Sequence, residues 1–223
     1  EHIAALSGLA SRLHAAGAAC AVQLYHGGRR AIPLPGQRPV CPWDDAETGA
    51  RALSTAEVEQ VVEDFILAAL RAERAGFDGV ELHGAHGYLL AAFLDRDNNQ
   101  RTDRYGGSLE NRSRPLREIV EGIRARARPG FQIGVRLSPE RWGIDLGEMR
   151  TLARQLMTSG KIDYLDLSLW DCFKQAEDPA YQGKPLIDHF TTLERGDTRL
   201  GVAGKITDAA TAQRCLDHGA DFV

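Results

Sequence analysis

Several protein classes are excluded by what this chain of 223 residues lacks. No apolar run approaches the ~20 residues that a membrane-spanning helix needs. The formal net charge of -4 comes without the basic stripe that binds nucleic acid. The four cysteines, Cys20, Cys41, Cys172 and Cys215, include no C-x-x-C pair, which argues against a disulfide framework or a zinc knuckle. We therefore expect a cytoplasmic protein with reduced thiols that binds neither a membrane nor nucleic acid.

The chain does contain a regular alternation of strand-like and helix-like segments. Short apolar runs predict strands at 20–26, 79–83, 132–137, 163–169 and 200–204, with one more strand opening at 221–223. Helices are predicted at 2–17, from Ser54 or Thr55 to about Gly76, from Ser108 to about Arg128, near 146–159 and from Asp208 to His218. The Pro- and Gly-rich stretch 30–49 predicts a long irregular loop. Continuously apolar strands joined through helices are typical of a parallel sheet covered on both faces.

Two α/β architectures fit this order: a doubly wound sheet and a (β/α)₈ TIM barrel. A dinucleotide-binding doubly wound sheet needs a G-x-G-x-x-G fingerprint after its first strand, and HGGRRA at 26–31 lacks that spacing. The longer loops follow strands, where a barrel keeps its active site. We therefore favour a barrel. Because only five complete strands and the start of a sixth are present, we expect a segment of a longer protein.

The histidine-rich turn HGAHGYL holds the strongest candidates for chemistry. His83 and His86 follow a buried strand at a spacing of three residues, so both imidazoles could hold one oxygen atom that gains negative charge during a reaction. Tyr88 would supply a proton donor beside them. Two alternatives stay open: loop histidines satisfied by the backbone beside a packing tyrosine, or a zinc site. No His-x-His or His-Glu-x-x-His pattern supports zinc, which would need further ligands from Asp95, Asp97 or Asp103.

Two strands carry a polar residue among apolar ones. Gln23 lies in AVQLY and Arg136 in IGVRLS, and a polar side chain inside a parallel sheet needs a partner. An amide together with an arginine suits a polar heteroaromatic ring. An internal network, with Arg136 paired to Glu81 or Asp166, explains the same residues equally well.

The turn GVAGKITD is a candidate anion site. A strand ends at Gly204, and a helix follows with Thr207 or Asp208 as its cap. A glycine at such a turn lets backbone N–H groups approach an anion, and Lys205 could add a positive charge. A plain helix cap without a ligand is the alternative.

Taken together, these residues closely resemble the old yellow enzyme family, FMN-dependent ene-reductases built on a (β/α)₈ barrel. The resemblance rests on blocks that occur in the family's order: QLYHGGR (23–29), HGAHGYL (83–89), FLDRDNNQRTDRYGGSLENR (93–112), GVRLSP (134–139) and VAGKI (202–206). By that order the chain covers the barrel from strand 3 to the start of strand 8. The resemblance therefore implies that 1–223 is a partial FMN-binding barrel domain.

The resemblance also implies how FMN would be held. The glutamine of the first block, here Gln23, hydrogen-bonds the flavin pyrimidine. The arginine of the GVRLSP block, here Arg136, lies near the N1 and O2 edge of the flavin. Backbone N–H groups of the turn after the seventh strand, here Gly204 and Lys205, bind the FMN phosphate.

A catalytic role is implied for the histidine-rich turn. His83 and His86 bind the carbonyl oxygen of an α,β-unsaturated substrate, or a phenolic ligand, and Tyr88 protonates the α-carbon. NADPH or NADH is the reductant, and no metal is expected. Two alternatives for the function stay open: the barrel part of a larger dienoyl thioester reductase or amine dehydrogenase, and a truncated non-catalytic paralogue or fragment. For the assembly, a homo-oligomer stays open.

Overall fold

A single parallel sheet organises the computed structural model, which describes residues 2–223. The strands are β1 (Ala21–Leu24), β2 (Val40–Cys41), β3 (Arg51–Ala52), β4 (Gly79–Gly84), β5 (Gln132–Leu137), β6 (Tyr164–Ser168) and β7 (Arg199–Ala203). Five of them form the main sheet in the order β1-β4-β5-β6-β7, and every neighbouring pair is parallel. Each of the five predicted strands is therefore confirmed. A parallel bridge between Gly201 and Phe222 marks the start of the next strand.

Helices flank the strands, and those between successive strands of the main sheet lie in the crossovers. They are α1 (His2–Ala15), α2 (Thr55–Arg74), α3 (Leu89–Leu94), α4 (Leu109–Arg112), α5 (Arg114–Arg126), α6 (Leu146–Met157), α7 (Asp188–Thr191) and α8 (Ala209–Asp217). Ser54 caps α2 in the predicted capping box, in which its side chain and that of Glu57 each accept the other's backbone N–H. Parallel strands joined by helical crossovers form part of a (β/α)₈ barrel. Within residues 2–223, no helix has the length and apolar character needed to cross a membrane.

The two faces of the main sheet differ in chemistry. One face is fully buried against the helices and is apolar, with Val80, Leu82, Ile133, Val135, Leu165 and Leu167. The other face carries polar side chains, among them Gln23, Glu81, His83, Arg136, Tyr164 and Asp166, and most of these are only partly buried. The strands therefore alternate between polar and apolar side chains, and the expectation of continuously apolar strands is wrong. The polar face is the interior face of the barrel, and its side chains alternate with the apolar ones along each strand.

Two predicted segments differ in detail, and one helix was not predicted. The helix expected from Ser108 to Arg128 is divided at Ser113 into α4 and α5, because Pro115 has no N–H to continue a hydrogen-bonded helix. The loop expected at 30–49 contains β2, which pairs with β3. The six-residue helix α3, which directly follows the histidine-rich turn, was not expected. It is buried throughout and anchors the turn.

Candidate active site

The histidine-rich turn brings three rings together at the carboxyl end of β4. The ring centroids of His83 and His86 are 5.0 Å apart, and those of His83 and Tyr88 are 5.2 Å apart. His86 has a φ of 59°, a left-handed backbone conformation, and its ring is tilted by 59° to that of His83. Tyr88 is the residue that precedes α3. The three predicted residues are therefore close enough to contact one small molecule.

His83 has a buried ring atom without a partner. The residue is 4% exposed, and its Nδ1 makes no hydrogen bond within the described chain. Burial, followed by the positive charges of His86 and Arg136, lowers the pKa of His83 to about 4. The imidazole is therefore neutral at pH 7. An unpartnered buried polar atom is costly in a folded protein, and the interpretation as a loop histidine satisfied by the backbone does not hold for His83 Nδ1.

His86 is held from several elements. Its Nε2 lies 2.6 Å from Ser168 Oγ at the end of β6, and its backbone N–H donates to Ser138 Oγ at 3.0 Å. Its carbonyl oxygen accepts a hydrogen bond of 2.6 Å from Arg30. Burial, followed by the charges of Arg136 and Arg30, lowers the pKa of His86. If the Ser168 hydroxyl donates to Nε2, the neutral ring carries its proton on Nδ1 and can donate it to a ligand.

The two polar strand residues each have a protein partner. Gln23 Nε2 donates to Glu81 Oε1 at 2.6 Å. Arg136 Nε lies 3.1 Å from Asp166 Oδ2, but its N–H does not point at that oxygen and makes no hydrogen bond, so the contact is an ion pair. Burial raises the pKa of Asp166 to about 6, with Arg136 lowering and Glu81 raising it. The structure therefore contains the internal network that was the alternative to a ligand, with Gln23 bonded to Glu81 and Arg136 paired with Asp166. In the sheet register Arg136 also pairs with His83, which places its strand position beside the imidazole pair.

The turn after β7 lies at the same edge of the sheet but apart from the imidazoles, with β5 and β6 between them. A Cβ on Gly204 would lie 2.9–3.0 Å from backbone atoms of Trp170 and Asp171, so only glycine fits this approach between two loops. Lys205 is exposed, and its Nζ lies 3.2 Å from Asp171 Oδ2. Asp208 caps α8 by accepting from the N–H of Thr211.

The aspartates considered as further zinc ligands are engaged elsewhere, Asp97 with Arg96 at 3.7 Å. Asp95 accepts the backbone N–H groups of Asp97 and Asn98, and Asp103 is paired with Arg101. Among residues 2–223, the potential metal-ligating atoms that lie within 4.8 Å of one another belong to His14, Cys20 and Asp78. That group is next to the amino ends of β1 and β4, away from the imidazole pair.

Three residues that contact the site were not expected from the sequence. Ser168 and Ser138 each hold His86, and Arg30 contacts both His86 and Tyr88. A signal for the serines existed, since each ends or follows a strand at the edge where a barrel builds its site. Arg30 carried no such signal because its role depends on the chain path after β1.

Comparisons with known proteins agree with these features. Residues 1–223 match the model of the NADH:flavin oxidoreductase / NADH oxidase family. An NADPH dehydrogenase of Halalkalibacterium halodurans is 37% identical over 98% of this chain and 64% of its own length. A probable NADH-dependent flavin oxidoreductase of Bacillus subtilis is 37% identical over 100% of this chain and 63% of its own. An NADH:fumarate oxidoreductase of Klebsiella pneumoniae is 36% identical, with 100% and 26% covered. The chain therefore spans less than two thirds of each of these relatives.

A solved structure is similar over nearly the whole chain. The structure of morphinone reductase in complex with tetrahydroNAD superposes with a TM-score of 0.79 and 32% sequence identity. The match covers 99% of this chain and 65% of that protein. Similarity at this level, together with the parallel strand order, supports the assignment of the fold as part of a (β/α)₈ barrel.

Proposed function

Since the chain belongs to the NADH:flavin oxidoreductase / NADH oxidase family, the old yellow enzyme family, whose cofactors are FMN and NAD(P)H, we propose that its protein reduces the C=C bond of α,β-unsaturated carbonyl compounds. One observation carries the proposal: two imidazoles and a phenol converge at a strand end, and His83 Nδ1 is buried there without a partner. We also propose that 1–223 is a partial FMN-binding domain.

The interior face of the sheet has groups that fit FMN. Gln23 and Arg136 would hold the pyrimidine side of the flavin, since an amide and a guanidinium suit its oxygen and nitrogen atoms. Arg136 retains an Nε–H that makes no hydrogen bond. Gly204 and Lys205, at the turn after β7, would receive the phosphate through their backbone. Bound FMN supplies hydride transfer, from NAD(P)H to the β-carbon of the substrate.

The protein's own part in the reaction is to hold the substrate oxygen and to supply a proton. His83 and His86 donate hydrogen bonds to the carbonyl oxygen, which gains negative charge as hydride adds to the β-carbon. Because His83 is neutral, its bond to the oxygen is a dipolar one, placed in advance where the charge develops. Tyr88, 5.2 Å from His83 between ring centroids, donates its phenolic proton to the α-carbon.

The test compares His83→Ala/His86→Ala with the parent in the full protein loaded with FMN. Binding of 4-hydroxybenzamide, followed by flavin absorbance, is expected to be lost. The kcat/KM for 2-cyclohexenone is expected to fall on the order of 100-fold or more, because each such donor contributes about that factor. His2→Ala, at an exposed position of α1, is the matched control. Unchanged binding of the amide in the double variant would overturn the proposal. A protein that stays colourless after FMN addition would favour the non-catalytic fragment.

A second candidate is the barrel part of a larger flavoenzyme. The observation that favours it is the match to the NADH:fumarate oxidoreductase of Klebsiella pneumoniae, which includes all of this chain but only 26% of that protein. Additional domains in the gene that encodes this chain, in particular a cysteine-rich segment, would support this candidate.

A further inference from the structure

Arg30 is held at the candidate active site by two of its residues. One of its terminal nitrogens donates a hydrogen bond of 2.6 Å to the carbonyl oxygen of His86. Its Cζ lies 5.3 Å from the centroid of the Tyr88 ring, a distance typical of a cation–π contact. The side chain is nevertheless exposed. The hydrogen bond to His86 and the contact with Tyr88 therefore fix the orientation of the guanidinium, and its N–H groups that do not bond His86 remain accessible to a ligand.

Arg30 also differs from neighbouring cations in its charge environment. Four cations of the strand ends and their loops each have a carboxylate within 4 Å: Arg29 with Asp45 and Glu47, Arg136 with Asp166, Arg141 with Glu177, and Lys205 with Asp171. Across residues 2–223, no carboxylate oxygen lies within that distance of Arg30. Its positive charge is thus left without a neutralising partner beside Tyr88 and His86.

A cavity of about 470 Å³ adjoins Arg30. Trp43 and Trp142 contribute flat apolar walls, and the ring of Trp142 lies 6.0 Å from that of His86. The two carboxylates that line the cavity are engaged with other groups: Glu47 with Arg29, and Asp95 with the N–H groups of the loop after α3. Space next to an unneutralised guanidinium is suited to an anionic group of a ligand.

We propose that Arg30 binds a carboxylate on the substrate, so that the preferred substrates are α,β-unsaturated carbonyl compounds that carry an anionic substituent. This inference rests on the proposed function, because the imidazole pair must hold the other oxygen of the same molecule. A guanidinium presents a planar set of donors that matches a carboxylate. The hydrogen bond to the His86 carbonyl fixes the direction of that set relative to the imidazoles.

The test uses two pairs of phenols. In each pair a benzoate is compared with the amide of nearly the same size but no charge: 3-hydroxybenzoate with 3-hydroxybenzamide, and 4-hydroxybenzoate with 4-hydroxybenzamide. Their dissociation constants are measured by flavin absorbance in the FMN-loaded full protein and its variants. For at least one benzoate, Arg30→Met is expected to weaken binding on the order of tenfold while the matching amide binds as before. Arg30→Lys, which keeps the charge, is expected to retain most of the preference. Added salt should reduce the preference in the parent.

Arg38→Met is the matched control, since Arg38 lies in the same loop, is exposed and donates to a backbone carbonyl, that of Gly49. It should leave all four dissociation constants unchanged. Equal weakening of benzoate and amide in Arg30→Met would show that Arg30 only supports His86, and would overturn the inference, as would no weakening of either benzoate. Failure of the proposed function has a different signature, because amide binding would then persist in His83→Ala/His86→Ala.

Discussion

The buried imidazole of His83 predicts how the stability of the protein depends on pH. The pKa of His83 is about 4 in the folded protein and 6.5 in the unfolded chain. Below pH 6.5 the unfolded chain therefore binds a proton that the folded state does not, and stability falls as pH falls. Between pH 7 and pH 5, these two pKa values give a loss of about 2 kcal/mol in the free energy of unfolding.

The assay is urea unfolding of the parent and of His83→Asn at both pH values. The quantity of interest is the change in unfolding free energy from pH 7 to pH 5, compared between the two proteins. His83→Asn removes the titrating group, so the parent is expected to lose about 2 kcal/mol more than the variant over this interval. His2→Asn, which deletes an exposed imidazole, should behave as the parent does.

Equal pH dependence in the parent and in His83→Asn would refute the reasoning, because it would mean that the imidazole titrates alike in the folded and unfolded states. A direct check is the pKa of His83 from its ring proton resonances. A value near 6.5 would show that burial does not disfavour the charged form of the imidazole.

Two further substitutions test the helix packing and the interior face. A Cβ at Gly122 of α5 would lie 2.9 Å from Ile66 Cγ1 and closer still to Cδ1. The resulting overpacking costs ~1–3 kcal/mol, which outweighs the ~1 kcal/mol gained in helix propensity. Gly122→Ala should therefore lower the free energy of unfolding, measured in urea, by about 1 kcal/mol, and adding Ile66→Val should recover part of that loss. The carboxyl group of Asp166, with its pKa raised to about 6, lowers the free energy of unfolding by about 1 kcal/mol as pH rises from 5 to 7. Asp166→Asn should abolish this loss. An identical pH slope in parent and variant would contradict the prediction.

The sequence predicted the main strands and long helices because each buries a regular apolar pattern. Helix α2 shows this well, since its start at Ser54 could be located from a capping box and its length from repeating apolar positions. Helix α3 was missed because six consecutive apolar residues have no period. Strand β2 was missed because it lies in a Pro-rich segment and is formed only by pairing with β3, which begins ten residues after β2 ends.

The residues of the candidate site could be predicted from the sequence, but the residues that orient them could not. The spacing of His83, His86 and Tyr88 indicated one cluster, and the rings do meet. What orients them comes from distant parts of the chain: Ser168 is 82 positions from His86, and Arg30 is 56 positions from it. A local motif contains no information on such partners, because they depend on which strands become neighbours in the sheet.

The interior face holds two buried groups whose titrations oppose each other. His83, with its lowered pKa, destabilises the folded state as pH falls, whereas Asp166, with its raised pKa of about 6, stabilises it over the same interval. From pH 7 to pH 5 the first effect is a loss of about 2 kcal/mol and the second a gain of about 1 kcal/mol. The parent can therefore show a shallow profile while each group is strongly perturbed. Only the single variants separate the effects: for these two groups, His83→Asn should turn the net loss of about 1 kcal/mol into a gain of about 1 kcal/mol, whereas Asp166→Asn should deepen the loss to about 2 kcal/mol.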